Sequence, residues 1–509
     1  MQAGNRVMLN TVVLYLRSII TLVISLWSVP LILKALGTSD YGLYNLIAGV
    51  IAMLAFLNAA MTVVTQRYMS VYMGKNDKEA QKKVFTSSVV LHLAIGLFIV
   101  ILFEICGLFL FDGFLKIEPE RVQTAKIVYQ FIIVSTFFTI ITVPYNAVMN
   151  ANEDMIAFSV IGIIDSLLKL ALAFLLSAIT WDRLIIYSLG VCGISLMNVL
   201  ISRIYVTKKY KDMRFSIKRH YDAGLIKEMF SLSGWSTLGA VAMLGRNQGI
   251  AIVINKFFGT VVNAAYGIAN QINGVLATFS SVLQQAINPQ LMKSAGQENQ
   301  ERMLKISYVS SKMSVLIFSI MAIPLIVEMP YILKLWLGEC PESTLGFARL
   351  VLINSIVYQY SSGVMSSILA GGKIGSYQSA MSVLILSNIP MSILLLSLGL
   401  PAYSVIGGFI IIEIITLSVR LLFAKKLVGF DVKYFLFSVI CKTCLVSVLT
   451  GIAGIGFCML VPQQSFFRLI ATTVISVTIL SLGAWLILLN DYEKSVFKSV
   501  VRKVLNHRN

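Results

Sequence analysis

Arg17 and Arg246 each interrupt a long apolar stretch. A charge that deep in an apolar helix is expensive unless a cavity or a partner receives it. A guanidinium stays charged and offers a planar fork of donors, which suits a phosphate or pyrophosphate group. The bland alternative for both is snorkelling or a structural ion pair. Three carboxylates raise the companion question. Asp165 stands four residues before Lys169, a helical spacing at which the two can neutralise each other, and Glu413 stands about two turns before Arg420. Glu104 lies in a further apolar stretch. Asp165, Glu413 and Glu104 are the candidates for ion coupling, with pairing as the rival reading for Asp165. Lys312, Lys442 and His92 remain open between a cavity and an interface.

One stretch has a polar face. With successive residues about 100° apart on a helix, Asn263, Asn270, Asn273, Gly274, Ala277, Ser281, Gln284, Gln285 and Asn288 fall within an arc of about 120°. Amides and hydroxyls bond sugar hydroxyls without imposing charge, so Asn270, Asn273, Gln284, Gln285 and Asn288 are candidate glycan-lining residues. Helix packing through small and amide residues is the alternative. The chain has no Walker lysine motif, no paired histidines at metal spacing and no nucleophile elbow. The expectation is therefore a non-enzyme, with no catalytic residue, no metal and no cofactor. Its energy source would be other than ATP, with coupling to a proton or sodium gradient left open.

The elements that must position these groups follow from composition. Of 509 residues 57% are hydrophobic and 13% charged, with a mean hydropathy of +0.84. Soluble domains do not look like this. A bilayer core takes about 20 helical residues to cross, and backbone groups in lipid must bond internally. The sequence predicts spans at 8–33, 42–68, 84–111, 124–149, 157–179 and 184–206, then at 229–256, 262–290, 305–333, 346–369, 378–399 and 404–424, with a last pair at 433–461 and 466–489. The expected fold is an all-α polytopic membrane protein of about fourteen transmembrane helices.

The formal charge of +18 falls in alternate loops. One set carries Lys75, Lys78, Lys82 and Lys83, then Lys208, Lys209, Lys211, Arg214, Lys218, Arg219 and Lys227, then Lys425 and Lys426, and the tail. By the positive-inside rule these loops and both termini are expected in the cytoplasm. The first span reads as a retained helix, not a signal segment. Only Cys340 of six cysteines falls in a predicted outside loop, and Cys441 and Cys444 form C-x-x-C inside an apolar helix. No disulfide framework is expected.

A shift of 222 residues aligns Lys34, Gly37, Thr38 and Tyr44 with Lys256, Gly259, Thr260 and Tyr266. The same register pairs Gly74, Glu79 and Lys83 with Gly296, Glu301 and Lys305, and Pro119 and Glu120 with Pro341 and Glu342. An internal repeat of six helices is the reading. It gives an N-lobe at 1–206, a basic linker at 207–228 suited to an interfacial helix, a C-lobe at 229–428, two further helices at 429–489 and a basic tail at 490–509 lying on the inner leaflet. The expected layout is two pseudo-symmetric six-helix lobes plus two C-terminal helices, with the binding site between the lobes.

The run Leu36-Gly37-Thr38-Ser39-Asp40-Tyr41-Gly42-Leu43-Tyr44 after Pro30, with Pro144-Tyr145-Asn146-Ala147, Asn255-Lys256-Phe257-Phe258-Gly259, Asn263-Ala264-Ala265-Tyr266-Gly267 and Ala286-Ile287-Asn288-Pro289-Gln290, resembles the bacterial repeat-unit flippases of O-antigen and capsule synthesis. These belong to the multidrug, oligosaccharidyl-lipid and polysaccharide exporter superfamily. The resemblance implies alternating access and an undecaprenyl-pyrophosphate-linked oligosaccharide carried from the cytoplasmic to the outer leaflet of the bacterial inner membrane. By likeness to lipid II flippases, Arg17 and Arg246 would hold the pyrophosphate. The implied partners are the lipid-linked oligosaccharide, membrane lipids and other polysaccharide-assembly membrane proteins, with no nucleic acid. The competing readings are a multidrug or metabolite cation antiporter of the same superfamily and a membrane glycan polymerase or ligase. The first should show an acidic, aromatic pocket, and the second a sizeable outside loop.

Overall fold

The computed structural model describes residues 3–52, 55–111, 117, 119–338, 341–491 and 493–495. Cys340, the segment 112–116 with Glu118, and the apolar and basic tail positions from 496 onward lie outside the described residues. Every regular element among the described residues is helical. In chain order the long ones are α1 (Ala3–Ala52), α2 (Ala55–Gly74), α3 (Lys78–Phe109), α4 (Val122–Ala151), α5 (Met155–Leu175), α6 (Arg183–Lys209), α7 (Ala223–Gly296), α8 (Gln300–Leu337), α9 (Ser343–Gln359), α10 (Ser361–Gly371), α11 (Gly375–Leu386), α12 (Asn388–Ser397), α13 (Ser404–Val428), α14 (Lys442–Leu460) and α15 (Phe466–Gly483).

The helices are built inside out relative to a soluble protein. In α14 the exposed residues include Leu445, Val448, Leu449, Ile452, Ile455 and Met459, at helical spacing, while Thr443, Val446, Thr450 and Gly454 are buried. In α15 Phe467, Ile470 and Val474 face out, and Arg468, Thr472, Ser476 and Leu480 face in. Apolar faces outward and small or polar faces inward fit hydrocarbon as the solvent. The protein is a multi-pass membrane protein. Eleven helices among the described residues are long and apolar enough to cross a membrane. The sequence predicts fourteen, and the other three stretches differ for local reasons. The stretch 260–296 carries the amide face, 42–68 passes through 53–54 outside the described residues, and 346–369 is divided at Tyr360 into α9 and α10.

Two glycines take backbone angles closed to other residues. Gly37 (φ 80°) breaks α1 and Gly259 (φ 77°) breaks α7, and only a residue without Cβ adopts such angles cheaply. Their separation is the 222 residues of the sequence repeat. Asn76 and Glu298, at the same separation, are left-handed at φ 54° and 57°. The next residues cap the following helices: the Asp77 side chain accepts from the Ala80 amide at 2.9 Å, and Asn299 from the Arg302 amide at 3.0 Å. The same 222-residue shift thus relates backbone conformation as well as residue identity at these positions.

The chain divides into two compact units, Leu9–Thr237 and Leu238–Asn509 with Met1–Met8. In the first unit α4 packs against α2, α3 and α6 around Ile99, Phe103, Val128, Tyr129 and Ile133. At one end Arg121 joins Asp40 and Asp182, while Asp182 also caps α6 through the amides of Leu184 and Ile185. The turn from α4 to α5 is held by Asp154, which accepts from Lys209 Nζ (2.6 Å), Tyr205 OH (2.7 Å) and Tyr210 OH (2.9 Å). Burial would raise the Asp154 carboxyl, but these three donors outweigh it and hold the group below its usual range. Of the stretch expected as an interfacial helix, only Ile217–His220 is helical between α6 and α7. One turn is too short to bury a continuous apolar face.

In the second unit the core gathers Ile254, Phe318, Phe347, Leu352 and Phe409. The last two helices are tied to α8 by a buried knot. Glu328 accepts from Arg468 Nε (3.0 Å) and Nη2 (2.8 Å), from Thr472 Oγ1 (2.8 Å) and from Cys458 Sγ (3.2 Å). Lys312, also on α8, donates to both Glu493 carboxylate oxygens at 2.8 Å and is thereby taken up in packing.

Candidate functional site

Arg17 lies on α1, with its guanidinium 4.3 Å from the centroid of the Phe158 ring on α5. It can lie that close to α5 because position 162 is glycine: a Cβ there would stand 2.5 Å from Arg17 Nε. Asp165, one turn further along, is within electrostatic reach of Arg17. Its carboxylate is 2.8 Å from Lys169 Nζ and accepts from Asn198 Nδ2 on α6 at 3.4 Å. The first unit therefore assembles two cations, one carboxylate and an aromatic face. Their formal sum leaves one positive charge.

The second unit builds a comparable set from other positions. Arg246, on α7 before its break, lies 5.3 Å from the Phe409 centroid on α13. Among the described residues its guanidinium donates only to neighbouring Asn247 Oδ1, at 3.2 and 3.0 Å. Glu413, one turn from Phe409, is buried, within electrostatic reach of Arg246, and 3.6 Å from Arg420 Nη1. Arg420 Nε donates to Tyr377 OH on α11 at 3.0 Å. Glu413 Oε1 and Arg420 Nη1 are buried without a hydrogen-bond partner among the described residues. Two cations and one carboxylate again leave one positive charge.

The repeat relates parts of these sets. Asn198 and Arg420 are 222 residues apart, and each reaches the ionised cluster of its own unit. Position 239, equivalent to Arg17, is glycine, and the Gln378 side chain of α11 crosses it. One unit places the long side chain on its first helix and the glycine on its fifth; the other reverses them.

The amide face of α7 divides. Gln284 donates to Ser314 Oγ at 2.6 Å and accepts from Ser310 Oγ at 3.0 Å, and Asn288 accepts from Ser366 Oγ at 2.8 Å. These two bridge to α8 and α10. Asn270 is exposed and bonds only its own turn through Tyr266 O at 3.0 Å, while Asn273 Oδ1 is buried without a partner among the described residues. Gln285 is half-buried, with no hydrogen bond among the described residues. Glu104 is exposed and accepts from Gln130 at 3.1 Å. His92 is buried and bonded to Ser88 O at 2.7 Å, and Lys442 is exposed.

Sequence reasoning did not foresee Phe158, Phe409, Tyr377 or Asn198. A signal for the ring contacts did exist: Phe158 stands seven residues, two helical turns, before Asp165, and Phe409 one turn before Glu413. Among the described residues no group of three or more His, Cys, Asp or Glu is gathered to hold a metal ion.

No family model matches the chain, and no curated protein matches it. Solved structures do. An outward-facing multidrug resistance MATE family transporter of the MOP superfamily superposes with a TM-score of 0.70 at 15% identity, covering 84% of this chain and 96% of the other. The fold is that of the MATE transporters. A MATE protein in its straight conformation gives a TM-score of 0.70 at 15% identity, covering 84% and 97%. A MOP superfamily transporter from Pyrococcus furiosus, described as having a binding pocket of reversed polarity that suggests a different function, gives 0.69 at 14%, covering 84% and 98%. What these likenesses share with the chain is the fold, over 84% of its length.

Proposed function

We propose that the protein is a flippase that moves an undecaprenyl-pyrophosphate-linked oligosaccharide, an O-antigen or capsular repeat unit, from the cytoplasmic to the outer leaflet of the bacterial inner membrane. The observation that carries this reading is charge. Each unit sets an arginine over a phenylalanine ring beside one carboxylate and a second cation, and each cluster keeps a positive excess. Such a surplus within membrane helices favours an anionic group and opposes a cation. Asn273 and Gln285, with the exposed Asn270 whose Nδ2 is bonded to Tyr266 O, are the proposed partners of sugar hydroxyls, with both termini in the cytoplasm. Membrane lipids and other polysaccharide-assembly proteins are the proposed surroundings. Glu413 and Asp165 are the proposed points at which a proton or sodium gradient couples to transport.

A second reading, a multidrug or metabolite cation antiporter, is favoured by the likeness to multidrug MATE structures and by the under-bonded Glu413. Reconstitution separates the two. Vesicles containing the protein and a polyprenyl-pyrophosphate sugar donor should expose the sugar outside faster than empty vesicles. Arg17→Ala and Arg246→Ala should each slow this at least about tenfold, the loss of one charge-assisted contact, with membrane insertion retained. No acceleration by folded wild type, or wild-type rates in both variants, removes the flippase reading. Drug resistance conferred by expression would favour the second.

A further inference from the structure

Where α6 runs out into the segment before α7, the first unit opens a cavity of about 530 Å³ walled by Arg203, Lys208, Lys211 and Arg214. Its floor is Phe85 and Tyr145, both buried and set edge to face with ring centroids 5.6 Å apart. No carboxylate among the described residues lines it. The acidic residues nearby are engaged by other cations: Asp154 by Lys209 at 2.6 Å, Asp212 by Lys78 at 3.8 Å, Asp222 by Lys83 at 3.4 Å and Glu79 by Lys82 at 2.7 Å. The four wall cations form no ion pair among the described residues. Four uncompensated charges in one concavity have only an anion to neutralise them.

Two further features say what carries the anion. Lys208 also lines a second, shallow cavity of about 500 Å³ on α6, whose remaining walls are Ile201, Ile204, Tyr205 and Lys209. That groove is apolar apart from its lysines and lies along a membrane-length helix. At the wall of the basic cavity Phe215 is 44% exposed, and Ile217, just beyond, 53%. A free phosphate needs no apolar groove, whereas an amphiphile needs both, with its head among cations and its chain along exposed apolar residues.

We propose that this cavity is a binding site for a lipid-borne phosphate head group, with Arg203, Lys208, Lys211 and Arg214 as its ligands and the Ile201–Ile204 groove taking the chain. The site is separate from the arginine clusters on α1 and α7, and it holds whether or not the flippase reading does. Its ordinary occupant would be an anionic phospholipid of the leaflet on which the basic loops lie. A prenyl diphosphate presents the same chemistry.

Native mass spectrometry of the full chain, exchanged into micelles containing phosphatidylcholine and phosphatidylglycerol of matched chains, tests this. Wild type should retain phosphatidylglycerol selectively. The single variant Lys208→Gln, at an exposed side chain, should bind about fivefold more weakly, and Arg203→Gln/Lys208→Gln/Lys211→Gln/Arg214→Gln on the order of a thousandfold, from the contribution of each cation near an anionic surface. Lys218→Gln/Arg219→Gln removes nearby charge outside the cavity and should bind as wild type does. Unchanged retention in the single and quadruple variants overturns the site, as does equal loss in the Lys218/Arg219 control. Displacement by inorganic phosphate with no preference between the two phospholipids overturns the lipid-borne source. Stronger retention of farnesyl diphosphate, lost in the same variants, supports the site and assigns its phosphate to an isoprenoid carrier.

Discussion

Glu328 and Glu413 are both glutamates buried in membrane helices of the second unit, each facing an arginine, and they are built in opposite ways. Glu328 receives four donors, two of them from one Arg468 fork, and Arg468 Nη1 donates to the carbonyls of Val461 and Pro462. Glu413 stands 3.6 Å from Arg420, too far for a hydrogen bond, and leaves Oε1 unbonded among the described residues. A saturated buried pair has one arrangement and holds helices together. An under-bonded carboxylate between two arginines can change partners at little cost, which is what a binding or coupling site needs. The location of a charge in a membrane helix thus says less about its role than how completely it is bonded.

This comparison breaks most visibly if saturation does not translate into stability. Arg468→Ala strands the Glu328 carboxylate and should cost about 3–5 kcal/mol, read as a large fall in the melting temperature of the detergent-purified protein, with α14 and α15 loosening first. A melt close to that of wild type would show the knot to be dispensable. Glu413→Gln should cost less, about 1–2 kcal/mol, because few bonds are lost. Its larger consequence should be on the response of transport to an imposed proton or sodium gradient, measured in the same vesicles. Equal destabilisation in the two variants would erase the distinction.

Much of this was legible in the sequence wherever residue type dictates backbone. Gly37 and Gly259 must be glycine at their φ, and the 222-residue shift pairs them in the sequence; the caps Asp77 and Asn299 keep the same separation without identity and emerge only from the structure. Arg17, Arg246 and Glu413 stood out because charge in an apolar run is rare. The Glu328–Arg468 pair was not legible, since its partners are 140 residues apart and meet only once helix depth and rotation are fixed. The sequence reads the amides of α7 as one face and does not show which of them are taken up in packing. Ser310 and Ser314, four apart on α8, were the clue that Gln284 has partners there. Of the three predicted spans outside the eleven apolar ones, 262–290 differs for a related reason, because its polar face lowers the hydropathy of the helix.

The comparison extends to a third carboxylate that is well bonded through one oxygen and lies in the turn between α4 and α5. Asp154 has three donors, all on Oδ2, against four spread over both oxygens of Glu328, and its surroundings are wetter, where hydrogen bonds contribute less. Its folded carboxyl is held below its unfolded value of about 3.9. Its contribution is therefore complete above that value and is lost as pH falls through the lower, folded value. Tyr210→Phe removes one donor and lets the folded value climb back. The variant should melt below wild type at neutral pH by about 1 kcal/mol, with its acid-side transition at higher pH. The two proteins should converge once the pH is below both values. If the difference persists unchanged in acid, Tyr210 acts through ring packing and not through the carboxylate, and saturation alone would then rank these sites wrongly.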